Sequence, residues 1–521
     1  MTINLSVPGS VFSMREILAE QVQRLEASGS NLHIPQLIKE SDLNVLSFDE
    51  KIASLRMQIT TLVELRDREL AVRAVLQHLI APIRTLPVEI LSEIFLLTVW
   101  GATQYTNSHI RAAYRVFHVC SEWRHVAVTT PHLWTGQLTL YVNRIWTDLE
   151  DEIFAAGLRE WLARSAPLSV PIILNAGIDE DNRVRTLEEV TRVASRWQYL
   201  EFHCRGAEAI SLLEKLDAGS LVSLEEIHLW TNITPDVEFD PMGIQCFSTA
   251  CALTSLSMHP SCQVPMPWGQ LTELTLTFPG TSELVANILA KCPNLIFASL
   301  PISSWTGWQP LEGGNDVVVL NHLRTLALDF LDVKEGPHAM CFMEHLCAPV
   351  LDDLRLYFDL HPDQDWDEAS FATFQSRSPN LTKLDIDILS GNLCIPSQAF
   401  QHIFLDAPLL SHLSFSSTYS SDVTLFELLT YSDLDAQPLL PQLCSLSFSR
   451  IQFGVVGDAL ASMIRLRWWT DEELASRQSP PRVARWSKVY LRDAYNDRQP
   501  ANESFRNAMQ SLRLSGLQVN V

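Results

Sequence analysis

From Phe48 onward, apolar residues settle into helical spacing. Ile52, Leu55, Ile59 and Leu62 follow one another at intervals of three, four and three, and Leu65, Val72, Leu76 and Leu79 continue the seam after a phase shift. Charged side chains from Lys51 to Arg73 occupy the other faces. The seam is shorter than the three or four uninterrupted heptads of a persistent coiled coil. We therefore expect one amphipathic helix over residues 48–80 packed on its own domain, with a dimerising coiled coil as the alternative. Residues 1–47 are of mixed polarity, with a helix expected near Met14–Leu25 and a break at Ala27–Pro35.

Pro82 ends the long helix, because it lacks an amide donor and its ring clashes with the preceding turn. In APIRTLPVEILSEIFLLTVW, Thr85 is placed as an N-cap, Pro87 lies at the helix start and Glu89 sits in the first turn. Leu86, Ile90, Leu91, Ile94, Phe95 and Leu97 form a broad stripe. A polar turn leads to RAAYRVFHVCSEWRHVAV, where Val116, Val119, Cys120, Trp123 and Ala127 line one face. TTPHLW closes a helical hairpin spanning residues 81–135.

Beyond Trp134 the chain is periodic. Apolar residues in the spacing L-x-x-L-x-L recur in copies ending at Leu229, Met258, Leu276, Leu328, Leu356, Ile386, Phe415 and Phe448. Looser copies end at Phe202, Leu300 and Leu491. Most steps fall in or near the 20–29 residues of leucine-rich repeats. The links look helical: TSELVANILAKC, HAMCFMEHLC, FATFQSR, SQAFQHIFLDA and TLFELLTYSDL. Several copies carry a proline shortly before the strand, at Pro293, Pro349, Pro379, Pro408 and Pro441, which stops the helix and sets an extended entry. Strand and helix alternating at this spacing imply an α/β fold, a curved solenoid of parallel strands over residues 136–521.

Alternation within each strand aims the last two apolar residues at the core and their neighbours outward. The outward set includes His228, Trp230, His259, Arg355, Tyr357, Asp385 and Asp387, the candidates for contact with a protein substrate. Trp, Tyr and Arg dominate many interfaces.

Composition narrows the partners. Hydrophobic residues make up 47% and charged residues 19% of the 521, enough apolar material for packed cores. A net charge of −23 repels phosphate backbones and anionic lipid, so neither nucleic acid nor a membrane is expected as a partner. The N-terminus shows no signal-peptide pattern, and the ten cysteines include no CxxC pair. Buried free thiols in a reducing compartment, the cytoplasm or nucleus, are the expectation.

No phosphate-binding loop, zinc-protease motif or nucleophile elbow is present. Cys341, His345 and Cys347 make the nearest approach to a metal cluster, but lack paired spacing and a fourth ligand. We expect no enzyme, no metal and no cofactor. An active site between repeats is the rival reading, and it requires a pocket with convergent acid, base or metal groups.

PIRTLPVEILSEIF followed by FHVCSEWRHVAVTTPHLW resembles the F-box of fungal, basidiomycete-type F-box proteins, and a charged helix before it and a leucine-rich tail after it are also similar to that family. The resemblance implies a substrate-recognition adaptor of a Skp–cullin–F-box ubiquitin ligase. Leu86, Pro87, Ile90, Leu91, Ile94 and Phe95 would meet the Skp-type adaptor, with Val119, Cys120 and Trp123 completing the helical core or contact face. The repeats would then bind the target protein. The alternative is a leucine-rich-repeat interaction scaffold unconnected with ubiquitin, its helical hairpin serving as a cap.

Overall fold

The computed structural model describes residues 14–28, 34–80, 82–101, 107–141, 147–176, 184–204, 213–214, 216–231, 241–304, 317–331, 339–359, 366–389, 395–417, 423–433, 437–493 and 503–520. The chain divides into two compact units, Met1–Leu91 and Ser92–Val521.

The first unit is helical. It holds α1 (Met14–Ser28), α2 (Ile34–Leu79) and a 3-10 turn at Pro82–Thr85. α2 begins at Ile34, well before the expected start at Phe48. Pro35 is accommodated because the first turn needs no amide donor from it. At 46 residues α2 is about 69 Å long. Every residue from Ile34 to Gln77 is exposed, which corrects the expectation of a helix packed on its own domain. Thr85 also departs from expectation: its hydroxyl donates back to the Pro82 carbonyl (2.7 Å) inside the 3-10 turn.

α3 (Val88–Trp100) crosses from one unit into the other. In the second unit, α4 (Ser108–Phe117) and α5 (Ser121–Val128) replace the single second helix expected from the sequence. The break lies at Cys120, whose backbone is extended (φ −158°) and whose sulfur accepts the Trp123 amide at 3.5 Å, an N-cap for α5. A 3-10 turn, Pro131–Trp134, closes this helical head, and the Trp134 indole Nε1 donates to the Ala127 carbonyl (2.7 Å). Phe95, Val99, Val116, Val126, Leu133 and Trp134 are buried in it. Val119 is not: the α4–α5 turn carries it outward, against the expectation that it lines the same face as Val116.

The rest is a parallel sheet. Its first strands are β1 (Leu138–Tyr141), β2 (Val170–Ala176), β3 (Trp197–Cys204), β4 (Glu226–Thr231), β5 (Ser255–Met258) and β6 (Glu273–Leu276). There follow β7 (Gly280–Thr281), β8 (Phe297–Ser304), β9 (Val318–Val319), β10 (Thr325–Leu331) and β11 (Leu346–Cys347). The last are β12 (Asp353–Asp359), β13 (Lys383–Ile388), β14 (His412–Ser417), β15 (Ser445–Ile451), β16 (Lys488–Asp493) and β17 (Gln518–Asn520). Strands of the main sheet pair in chain order from β1 to β17; β7 joins at the side of β8, and β9 and β11 form a separate pair. Each recurring leucine pattern falls on one of these strands, whereas β1, β2 and β17 lack it.

Stacking one strand per repeat aligns like positions into columns. Leu326 lies beside Leu354, and Leu354 beside Leu384 and then Leu413 by the same in-register pairing. All four are buried. The first leucine of the pattern is buried as well, at Leu224, Leu253, Leu323, Leu351 and Leu443, beneath the turn that enters each strand. Helices Ser282–Ala290, Glu368–Ser376, Ser397–Leu405 and Thr424–Leu428 occupy links where helices were expected. HAMCFMEHLC instead forms a 3-10 turn (Ala339–His345) running into β11. Its thiols serve local bonds: Cys341 donates to Asp367 (3.6 Å) and Cys347 to the Arg377 carbonyl (3.9 Å). No helix among the described residues is long and apolar enough to cross a membrane.

Candidate protein-binding surfaces

The sheet's outward columns form the first candidate surface. On β3 and β4, Glu201 lies beside His228 and His203 beside Trp230. Alternation puts Tyr199, Glu201 and His203 on one face of β3, and Glu226, His228 and Trp230 on the same face of β4. Glu201 accepts from the Tyr199 hydroxyl (2.8 Å) and lies 2.6 Å from His203 Nε2. Glu226 lies 2.7 Å from His228 Nε2. The His203 ring is stacked on the Trp230 ring at 5.9 Å and 5°, while Tyr199 meets His228 at 5.3 Å. Partial burial, with the Glu201 hydrogen bond and charge second, raises the Tyr199 pKa and keeps its hydroxyl a donor. The result is a half-buried plate of rings edged by carboxylates.

A second cluster spans β10 to β15. Arg355 donates to both carboxylate oxygens of Asp353, at 3.2 and 2.9 Å. It lies beside Asp385, and Tyr357 lies between Asp329 and Asp387. Arg450, held at a positive φ of 59°, reaches back to donate to Ser416 (2.8 Å) and to pair with Asp387 two strands away. Burial raises the pKa of Asp329. Carboxylates outnumber guanidinium groups here, and two of them are engaged by Arg355 and Arg450.

The structure therefore groups the expected residues into two clusters, His228 with Trp230 and Arg355, Tyr357 with Asp385, Asp387. His259 joins neither, which corrects its expected place on a strand. It sits one residue past β5, its Nδ1 accepting the Ser261 amide (3.1 Å) and its ring 5.0 Å from Phe278. Burial lowers its pKa. The sequence reading missed Tyr199, Glu201, His203 and Glu226, although the alternation that selected His228 applies equally to β3. Arg450 gave no signal, since its role depends on the backbone turning at the end of β15.

The second candidate surface is the outer stripe of α3. Ile90, Ile94 and Leu97 are spaced by four and three and are 49%, 36% and 74% exposed. Leu91, Phe95 and Val99 point the other way and are buried. The nine residues expected to meet an adaptor thus divide. Pro87, Ile90, Ile94 and Val119 are exposed; Leu86, Cys120 and Trp123 are half-buried; Leu91 and Phe95 belong to the core and are withdrawn from the contact set. Leu97, left out of that set, is more exposed than any of its members on α3.

No family model matches the chain, and no curated protein matches it. Among solved structures, it is similar to the leucine-rich repeat-containing protein LegL7 from Legionella pneumophila. Identity there is 12% over 73% of this chain and 98% of that one, with a TM-score of 0.29. It is also similar to TLR13 in its complex with ssRNA13, at 14% identity over 75% of this chain and 65% of that one, with a TM-score of 0.28. The solenoid-like architecture rests on the chain's own one-strand-per-repeat parallel sheet.

Proposed function

We propose that this chain is a protein-binding scaffold of leucine-rich-repeat type, without catalytic chemistry of its own, whose outer sheet face grips a segment of a target protein. The observation that carries the reading is the in-register outer face. Ring and carboxylate groups on β3–β4 and alternating acid and arginine on β10–β15 are aligned on a frame of buried leucines, a rigid surface of the kind that interfaces use.

The finer reading is that the helical head docks a Skp-type adaptor of a cullin ubiquitin ligase, so that the repeats present the bound target for ubiquitin transfer on other subunits. It is supported by the F-box-like sequence and by the apolar stripe Ile90, Ile94, Leu97 left outside a packed helix. The cytosol or nucleus, where thiols stay reduced, is the compartment proposed with it.

The test is affinity purification of the wild-type chain with identification of co-purifying proteins, followed by two variants. Ile94→Asp/Leu97→Asp should lose a Skp-type adaptor at least tenfold while its thermal unfolding is unchanged. Trp230→Ala/Arg355→Ala should keep the adaptor and lose the target. A wild-type chain that fails to bind purified Skp-type adaptor removes the ligase reading and leaves the scaffold. Undiminished target binding by the second variant removes the outer face as the binding surface.

A further inference from the structure

We propose that α2 pairs antiparallel with α2 of a second copy of this chain, through Val45, Phe48, Ile52, Leu55, Ile59 and Leu62. These six side chains are between 45% and 64% exposed, all on one long helix with no buried residue between Ile34 and Gln77. Their spacing alternates three and four residues without a break. It puts Val45, Ile52 and Ile59 in one row and Phe48, Leu55 and Leu62 in the next, the seam geometry of paired helices. A continuous apolar strip of this kind, about 27 Å long, is more than a monomeric chain ordinarily leaves in water.

The occupant follows from the seam's symmetry. Aligned with itself in the opposite direction, it matches apolar to apolar at every layer: Val45 with Leu62, Phe48 with Ile59, and Ile52 with Leu55 of the second copy. One layer further out the same alignment sets Ser41 against Arg66, so the apolar match ends where the strip does. The flanking charges choose the direction. In a parallel pair, Lys51 would face Arg56 of the other copy, placing like charges together on both sides. In the antiparallel pair Asp49 of each copy faces Arg56 of the other along one flank, opposite charges both times, while Lys51 faces the uncharged Gln58 along the other. Lys51 lies 5.6 Å from the Phe48 ring of its own helix, its stem placed to cover the edge of the seam.

The experiment is sedimentation equilibrium of the full chain, with helicity followed by circular dichroism. The wild type should be a dimer in the micromolar range. Ile52→Asp/Leu55→Asp should raise the dissociation constant by roughly a hundredfold or more, as charge is buried in the central layers, with helicity in the rest of the chain retained. Arg56→Glu sets a second carboxylate against Asp49 and should weaken the dimer by roughly tenfold, and Asp49→Arg/Arg56→Asp should restore it. A monomeric wild type, a dimer indifferent to Ile52→Asp/Leu55→Asp, or a tighter dimer in Arg56→Glu (which a parallel pair would give through Lys51) each overturns the proposal.

Discussion

The Phe95 ring packs 4.8 Å from Trp123 at a tilt of 50°, tying α3 to α5 within the helical head. Phe95 is fully enclosed, whereas Trp123 is half-buried. Phe95→Ala removes the ring from a site with little room to collapse and should cost about 3–5 kcal/mol. Denaturant unfolding followed by tryptophan fluorescence measures it; a loss below about 1 kcal/mol would show that this contact does not hold the head together.

Asp151 is a buried carboxylate that joins α6 (Asp148–Ser165) to α7 (Val184–Thr191). It accepts from the backbone amides of Arg185 (3.1 Å) and Thr186 (3.3 Å) and from the Thr186 hydroxyl (2.5 Å). Asp151→Ala strands the first-turn donors of α7 and should destabilise by about 2–3 kcal/mol. Asp151→Asn keeps one acceptor oxygen and should cost less. Equal losses in thermal unfolding for the two variants would contradict this account.

Arg467 is enclosed among the repeats, donating to the Leu440 carbonyl (2.8 Å) with its guanidinium 5.0 Å from the Trp486 ring. Burial pushes its pKa down to about 10, well below the ordinary guanidinium range. The folded chain therefore favours the neutral form more than the unfolded chain does. The stabilisation from this shift is complete only above the ordinary guanidinium range and is lost as the pH falls through about 10. At neutral pH the buried charge is a cost, and Leu440 retains the Leu443 amide as a donor without it. Arg467→Met should be neutral or stabilising by about 1–3 kcal/mol, whereas Arg467→Ala leaves a cavity and destabilises. Chemical denaturation at pH 7 and pH 10 should show the Met variant's advantage shrinking at the higher pH.

Burial raises the Cys246 and Cys292 thiols to about 12, while Cys251 is exposed. Iodoacetamide at pH 8 should modify Cys251 readily and leave Cys246 and Cys292 intact until the chain unfolds. Peptide mapping of the alkylated protein reads the order directly, and early modification of Cys246 would show that its repeat opens.

The strand ladder was legible because each repeat places Leu354, Leu384 and their counterparts by a local rule. Alternation and a fixed spacing decide which side faces the core before any tertiary contact forms. β1, β2 and β17 escaped because LTLY, VPIILNA and QVN carry no such spacing; they are strands by pairing with a neighbour. The helix break at Cys120 was hidden in an unbroken helical pattern, since a thiol accepting an amide three residues on leaves no mark in hydrophobic periodicity.

Residue order alone thus established the repeat, the direction of the inward leucines and the seam on α2, all of them properties of neighbours along the chain. Folding in three dimensions determined which apolar residues of α3 stay outside and that Arg450 reaches Asp387 across two strands. Those outcomes depend on contacts between residues far apart in sequence, whose packing no local pattern encodes.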